Sequence, residues 1–469
     1  MDKNTINKIF ELQVKNSKII RQTTYKDRIK KIKSIIQWMY NNRTAVKDAL
    51  RKDFSKPSVE VDITEMWVAI NFANDIIKNL KRWMSPKKVP SSLAVLFSKS
   101  YIEYYPKGVC LIIAPWNYPF QLCVVPLMYS IAAGNCCIIK PSESTPYTSK
   151  LVSDMIKDLF NEGEIAVIEG DAKEAKLLLD KPFNHIFFTG SDSIGKKVVE
   201  ASSKYLSSFT LELGGKSPVI IDRKYQLSNI IDKVITTKFI NLGQSCIAPD
   251  YIAIHENDFD AFVKLLIQRI KSIYGDSFKD QKKSKSLARI VNDNHFDRLI
   301  NMIDDKNCKI LYGGGYDKKE RFISPTIVDM RDHKTEISNQ EIFGPIIPIV
   351  SYSTDEDLNC ILEEAGNPLA LYIFSNRKIF INRVKELTSS GAVCINDIAV
   401  HFLNQNLPFG GVMSSGAGRY HGFSGFKEFS NSRSTIVQSK INFLSMIGPP
   451  YSKTTQKIVD TLIYLYKKI

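Results

Sequence analysis

His185-Ile186-Phe187-Phe188-Thr189-Gly190-Ser191-Asp192-Ser193-Ile194-Gly195-Lys196-Lys197 reads as a buried strand, a glycine turn and the opening of a helix. A short apolar run suits a strand covered on both faces, and the glycine and serines after it break the pattern. The same texture recurs around it. Runs at 109–114, 135–140, 165–169 and 210–213 are short, apolar and separated by helical stretches, which predicts a parallel sheet covered by helices. A second alternating set lies at 218–221, 251–255, 346–350, 370–374 and 392–396. At 469 residues the chain is too long for one ordinary core, so two α/β domains in series are expected.

Upstream, 5–54 has helical periodicity, with Ile29, Ile32, Ile35 and Ile36 on one face. Trp67, Ile70, Ala73, Ile77 and Leu80 mark a second helical face that Ser85-Pro86 ends. Residues 101–105 alternate as an edge strand, and Gly410-Gly411, Ser414-Ser415-Gly416 and Gly418 read as a flexible, loop-like tract. The last twenty residues set Ile458, Val459, Leu462, Ile463, Leu465 and Tyr466 among lysines. That pattern fits a basic amphipathic helix at a membrane surface, or equally a docked or fraying terminal helix.

Composition narrows the classes. The chain is 44% hydrophobic, like a soluble globular protein, and its apolar runs are too short to span a bilayer. The opening MDKNTINKIFELQVKNSKII has no continuous apolar core of a signal peptide, so a cytoplasmic protein with reduced thiols is expected. None of the eight cysteines pairs in a C-x-x-C spacing with histidines, so no metal is expected. The net charge of +15 lies on scattered basic residues such as Lys26, Arg28, Lys30, Lys31 and Lys33. Aromatics do not interleave with them as a base-stacking groove requires, so no nucleic-acid partner is expected.

Several motifs carry chemistry. Backbone N–H groups at a helix N-terminus face phosphate, and Gly190 and Gly195 would let one approach. The stretch nearly satisfies the ATP-binding pattern G-x-x-x-x-G-K-[ST], but Lys197 stands where a magnesium-binding hydroxyl is needed, and G-x-G-x-x-G is absent. Ile138-Ile139-Lys140-Pro141-Ser142-Glu143 ends a strand with a cation and a carboxylate, at the end where α/β sheets bind ligands. In Ala114-Pro115-Trp116-Asn117-Tyr118-Pro119-Phe120 an asparagine sits among prolines and aromatics, and its amide needs partners, backbone or ligand. Leu211-Glu212-Leu213-Gly214-Gly215-Lys216 and Gly243-Gln244-Ser245-Cys246 supply a carboxylate and a thiol, the groups that covalent acyl chemistry requires. A free thiol ionises near 8.5, so Cys246 needs a neighbouring base or dipole. Glu341-Ile342-Phe343-Gly344-Pro345, read bare, is a turn before a strand.

Together these motifs resemble the NAD(P)-dependent aldehyde dehydrogenase superfamily over positions 5–440. Pro408-Phe409-Gly410-Gly411 with Arg419-Tyr420-His421-Gly422 looks like its class 3 subgroup; Met413, where glycine is common, and Gly425 depart from it. The resemblance implies a variant Rossmann cofactor domain (1–97 and 107–213) and a second α/β catalytic domain (214–410). It adds a small β oligomerisation arm (98–106 and 425–440) that makes a homodimer, and a C-terminal tail (441–469). Cys246 would attack the aldehyde, Asn117 and the Cys246 N–H would hold the oxyanion, and Glu212 would activate water against the thioester. Gly190, Ser191, Ile194 and Gly195 would hold the pyrophosphate, Leu213 would lie beside the cofactor, and Lys140 and Glu143 would bind the adenosine ribose. Glu341 would bind the nicotinamide ribose and Phe343 its ring. A carboxylate at Glu143 favours NAD, with NADP left open. Trp116, Tyr118, His401 and Phe402 would line a pocket for a hydrophobic aliphatic, aromatic or long-chain aldehyde. Transfer of the thioester to coenzyme A, ATP binding and a catalytically silent membrane-binding relative are the alternatives. Glu212, Lys197 and the joint presence of Cys246, Glu212 and Asn117 count against them in turn.

Overall fold

The computed structural model describes residues 2–92, 95, 97–305, 308–331, 336–364, 366–440 and 447–467. Two α/β sheets dominate. The first has six strands in the order Gly416–Ala417, Ser208–Glu212, His185–Thr189, Val109–Ile113, Cys136–Lys140 and Ile165–Val167, parallel except for Gly416–Ala417. Its strand order reverses between Val109–Ile113 and His185–Thr189, which opens a crevice at their carboxyl ends. The second has seven, Lys309–Tyr312, Thr326–Asp329, Ile346–Tyr352, Tyr251–His255, Pro218–Ile221, Ala370–Phe374 and Ala392–Ile395, parallel except for the first. The five strands expected from the second alternating set are all present; Lys309–Tyr312 and Thr326–Asp329, which carry charged residues at Lys309 and Asp329, are additional to them.

Helix Gln121–Ala133 is buried along its whole length, with apolar residues on every face. The helices Lys3–Ile20, Tyr25–Asn41 and Arg43–Phe54 make up the expected 5–54 region, with Ile32 and Ile35 in the core. A π-helix, Asp62–Trp67, leads into helix Val68–Trp83. The wider turn shifts the helical phase. The buried face is therefore Val68, Ala69, Phe72, Ala73, Ile76, Leu80 and Trp83, and Trp67, expected on the core side, is half exposed.

Two further expectations are corrected. Strand Lys99–Pro106, read as an edge, is the centre of a three-stranded sheet between Lys87–Val89 and Ser430–Val437. The tract 410–418 is closely packed rather than loose. Gly416–Ala417 pairs with Glu212 and Leu211, and a Cβ on Gly411 would lie 1.9 Å from the Ser415 oxygen. Met413 adopts a left-handed φ of 53° there, which explains why glycine suits that position. Of the expected tail, residues 441–446 and 468–469 lie outside the described residues, and Lys453–Tyr466 is a helix exposing Ile463, Tyr464 and Leu465. Among the described residues no helix is long and apolar enough to cross a membrane.

Candidate active site

A cavity of about 730 Å³ lies between the two sheets. From the first sheet it takes residues beyond strand carboxyl ends: Pro115 to Tyr118 after Val109–Ile113, and Thr189 to Ser191 after His185–Thr189. From the second it takes residues leading into strands: Gly214 before Pro218–Ile221, Cys246 to Ala248 before Tyr251–His255, and Glu341 and Phe343 before Ile346–Tyr352. Cys246, Glu212 and Asn117 all line it.

The cysteine loop is held in an uncommon conformation. After helix Ser228–Phe239, Asn241 and Leu242 have φ of 54° and 52°, and Gly243 follows at 77°. Each non-glycine left-handed residue costs on the order of 1 kcal/mol, so the surroundings must impose it. Asn241 Nδ2 donates to the backbone oxygens of Asn117 (2.9 Å) and Gln244 (3.1 Å). Gln244 donates from Nε2 to the Asn241 and Arg289 oxygens (both 3.0 Å) and accepts from the Val291 N–H at 3.0 Å. A Cβ on Gly243 would meet the Gly344 oxygen at 2.3 Å, so only glycine fits. The Cys246 side chain emerges half-buried. Burial, with Glu341 and Glu212 nearby, pushes its thiol up, while the backbone N–H groups of Cys246 and Ile247 pull it down.

Asn117 is buried, and its Nδ2 donates to the Gln244 oxygen at 3.2 Å. The backbone bond foreseen for this amide is thus present, and a primary amide keeps a second N–H to donate. Glu212 ends its strand fully buried, with no hydrogen-bond partner on either carboxylate oxygen among the described residues. Burial pushes its pKa well above the usual carboxylate value; Arg419 pulls it down and Glu428 adds to the rise. Such an unpartnered acid, aimed into a cavity, is costly unless it has chemistry to perform.

The expected cofactor residues divide. Gly190, Ser191, Leu213, Glu341 and Phe343 line the cavity; Lys140, Glu143, Ile194 and Gly195 lie outside that lining. Lys140 is buried and ion-paired with the half-exposed Glu143 at the end of its strand. Gly195 is a packing residue, since a Cβ there would press on Leu213 at 3.0 Å. Ser191 leaves the N-terminus of helix Asp192–Ser203 without a side-chain cap, so its N–H groups are open to an anion. Gly214 is a cradle that a Cβ would fill, 2.1 Å from a Glu341 carboxylate oxygen. The donors, the carboxylate and the space therefore fit a nicotinamide dinucleotide. Glu341 is pushed up to about 8, first by burial and then by Asp250. Arg298 grips the backbone oxygens of Glu341 and Ile342.

Among the expected pocket residues, Trp116, Tyr118 and Phe402 line the cavity and His401 does not. The tight turn Val400–Leu403 points Phe402 and Leu403 inward and turns His401 back, stacked on Phe409 at 6.0 Å. Residues missed from the sequence include Ile63, Thr64 and Trp67, all in the π-helix, and His295, whose ring lies 4.7 Å from that of Trp116. Nothing in a single sequence announces a π turn. Among the described residues no cluster of histidine, cysteine or acid could hold a metal ion.

Comparison with known proteins agrees with this geometry. The model of the aldehyde dehydrogenase family matches residues 1–435. The 4,4'-diaponeurosporen-aldehyde dehydrogenase of Staphylococcus aureus (strain NCTC 8325 / PS 47) is 39% identical over 91% of this chain and 92% of its own. Aldehyde dehydrogenase family 3 member H1 of Arabidopsis thaliana is 35% identical over 94% and 91%. The substrate-bound state of Staphylococcus aureus AldH superposes with a TM-score of 0.93, at 36% identity over 98% of this chain and 99% of that one. The chain belongs to the aldehyde dehydrogenase family. It is an NAD(P)-dependent aldehyde dehydrogenase, with relatives that include family 3 members.

Proposed function

We propose that this enzyme oxidises a hydrophobic aldehyde, aliphatic, aromatic or long-chain, to the carboxylic acid through a thioester on Cys246. The observation that carries the reading is the convergence of Cys246, Asn117 and Glu212, from three separate elements, on one largely apolar cavity. The thiolate of Cys246 adds to the carbonyl carbon. Asn117 Nδ2 and the Cys246 N–H hold the resulting oxyanion, each such donor supplying about 3 kcal/mol at the transition state. Glu341 and Phe343 would hold a nicotinamide ring beside Cys246, where it would supply the hydride acceptor that turns the adduct on Cys246 into a thioester. Glu212 then removes a proton from water, which adds to the thioester and releases the acid and the thiol. A water-activating base supports hydrolysis over hand-over to coenzyme A.

Gly190, Ser191 and the open helix N-terminus would hold the pyrophosphate, and Glu341 the nicotinamide ribose. A ribose at Lys140 and Glu143 would meet a carboxylate that repels a 2′-phosphate, which supports NAD over NADP. For substrate, Trp67, Trp116, Tyr118, Phe402 and Phe409 supply an apolar wall, and Arg298, the one arginine among the described cavity residues, is turned onto the Glu341 and Ile342 backbone oxygens instead of standing free to anchor a semialdehyde acid. One relative is named for 4,4'-diaponeurosporen-aldehyde, in keeping with such a wall. The edge strand Ser430–Val437 exposes Ile436 and Val437, which supports pairing with a second copy through this arm. The test is reduction of NAD and NADP with aldehydes of graded length and aromaticity. Turnover by the parent with a preference for apolar aldehydes, absent in Cys246→Ala, supports the reading. Preference for short or anionic aldehydes overturns the substrate class.

A further inference from the structure

Lys56, Glu60 and Glu65 take no part in the chemistry above, yet all three point inward from one short segment that ends in the π-helix. Glu65 is wholly buried. One carboxylate oxygen takes the Lys56 ammonium at 2.8 Å, and the other accepts the Gln121 N–H at 2.8 Å. Gln121 opens the central helix, four residues after Asn117. Lys56 also lies 4.1 Å from the centre of the Tyr118 ring, and Tyr118 lines the cavity together with Ser245 and Cys246. Glu60 reaches the other side. Its Oε2 accepts the Asn241 N–H at 2.8 Å, at the first of the left-handed residues that lead to Cys246.

One segment thus grips the backbone on both sides of the reacting centre. A buried ion pair adds little net stability over an apolar pair of similar size, but it fixes direction. Glu60 supplies what the strained turn needs, an acceptor for an N–H that no helix satisfies. The outer face of the same segment, Ile63, Thr64 and Trp67, forms cavity wall.

We propose that Glu60 and Glu65 are positioning residues that set the Cys246 sulfur against the Asn117 amide, the first through the cysteine loop and the second through the start of the central helix. This rests on the roles proposed above for Cys246 and Asn117. A displacement of about 1 Å at a reacting centre costs on the order of 100-fold in rate, so the effect should appear in kcat rather than in substrate binding.

The experiment compares the parent with Glu60→Ala and Glu60→Gln in two assays. One is steady-state aldehyde oxidation. The other is the rate at which iodoacetamide alkylates Cys246, read by peptide mass spectrometry without aldehyde or cofactor. Glu60→Ala is expected to lower kcat by about 10-fold or more, with the aldehyde KM within about threefold, and to change the alkylation rate at Cys246. Glu60→Gln keeps an acceptor for the Asn241 N–H and should stay within about threefold of the parent in both. Parent-like kcat and alkylation in Glu60→Ala overturn the proposal, as does equal impairment of the Gln and Ala variants. Should Glu60→Ala fail to fold, Glu60→Asp replaces it: a lower kcat at an unchanged melting temperature supports the proposal, and parent-like kcat overturns it. If instead Cys246→Ala still oxidises aldehydes, the catalytic reading itself fails, while the alkylation comparison still decides whether Glu60 sets the loop.

Discussion

The two sheets meet the cavity from opposite ends. The first presents strand carboxyl ends at the point where its order reverses, between Val109–Ile113 and His185–Thr189. The second presents residues that enter strands, at Gly214, Cys246 and Glu341. The first arrangement follows the general rule for ligand sites in open α/β sheets, where helix N-termini and strand ends give fixed donors. The second places its functional groups where that rule would not look. It does so through backbone held by side chains: left-handed turns at Asn241 and Leu242 and at Phe343, whose φ is 52°, and the Lys216–Asp250 ion pair, with Lys216 also donating to the Ile337 and Gln340 oxygens. A fixed scaffold on one side faces a strained, cross-braced set of loops on the other.

The sharpest way to break this contrast is at Cys246, the group on the braced side. Cys246→Ala should reduce kcat by on the order of 10⁴-fold or more, measured as cofactor reduction, while cofactor affinity by fluorescence titration stays near that of the parent. A variant that still turns over would place the nucleophile elsewhere.

Glu212 comes from the scaffold side. Glu212→Gln should lower steady-state turnover by about 10²- to 10⁴-fold but keep a first, rapid burst of reduced cofactor, because acylation precedes hydrolysis. Its pH behaviour is directional. Buried Glu212 holds its proton well above the ordinary carboxylate value, so turnover of the parent should rise with pH as that proton leaves. The stability contribution of this group is full below the unfolded value near 4.5 and is lost as pH rises toward the folded one. The melting temperature of Glu212→Gln relative to the parent should therefore climb over that window in a pH series.

Asn117 joins the two sides, with its side chain on the Gln244 oxygen and its backbone on Asn241. Asn117→Ala should cost about 10²- to 10³-fold in kcat, with a smaller change in KM, in steady-state kinetics. The smallest expected effect concerns the apolar wall. Trp67→Ala and Phe402→Ala should raise KM for long apolar aldehydes by about 10-fold and leave acetaldehyde little changed. A uniform effect on all aldehydes would instead put these residues in the catalytic geometry.

What the sequence disclosed follows the same division. The parallel strands of both sheets other than Thr326–Asp329, and the glycine turn after His185–Thr189, are legible because buried strands are short apolar runs punctuated by glycine. Cys246, Glu212 and Asn117 were legible only because their motifs resemble a family, since nothing in spacing brings residues 117, 212 and 246 together. Trp67 was misplaced because a π turn shifts helical phase without a residue that signals it. His401 was assigned to the cavity because a tight turn offers no periodicity from which to choose its inward residues. The 410–418 tract read as loose because glycines supply flexibility and close packing alike, and only the pairing of Gly416 with Glu212 tells which.

The most direct measurement is to trap the intermediate. Glu212→Gln would be mixed with NAD and an apolar aldehyde, quenched in acid within the burst, digested and examined by mass spectrometry. The predicted result is a single acyl adduct on the peptide carrying Cys246, in proportion to the reduced cofactor formed. Reduced cofactor without that adduct, or an adduct on another residue, would contradict covalent catalysis by Cys246.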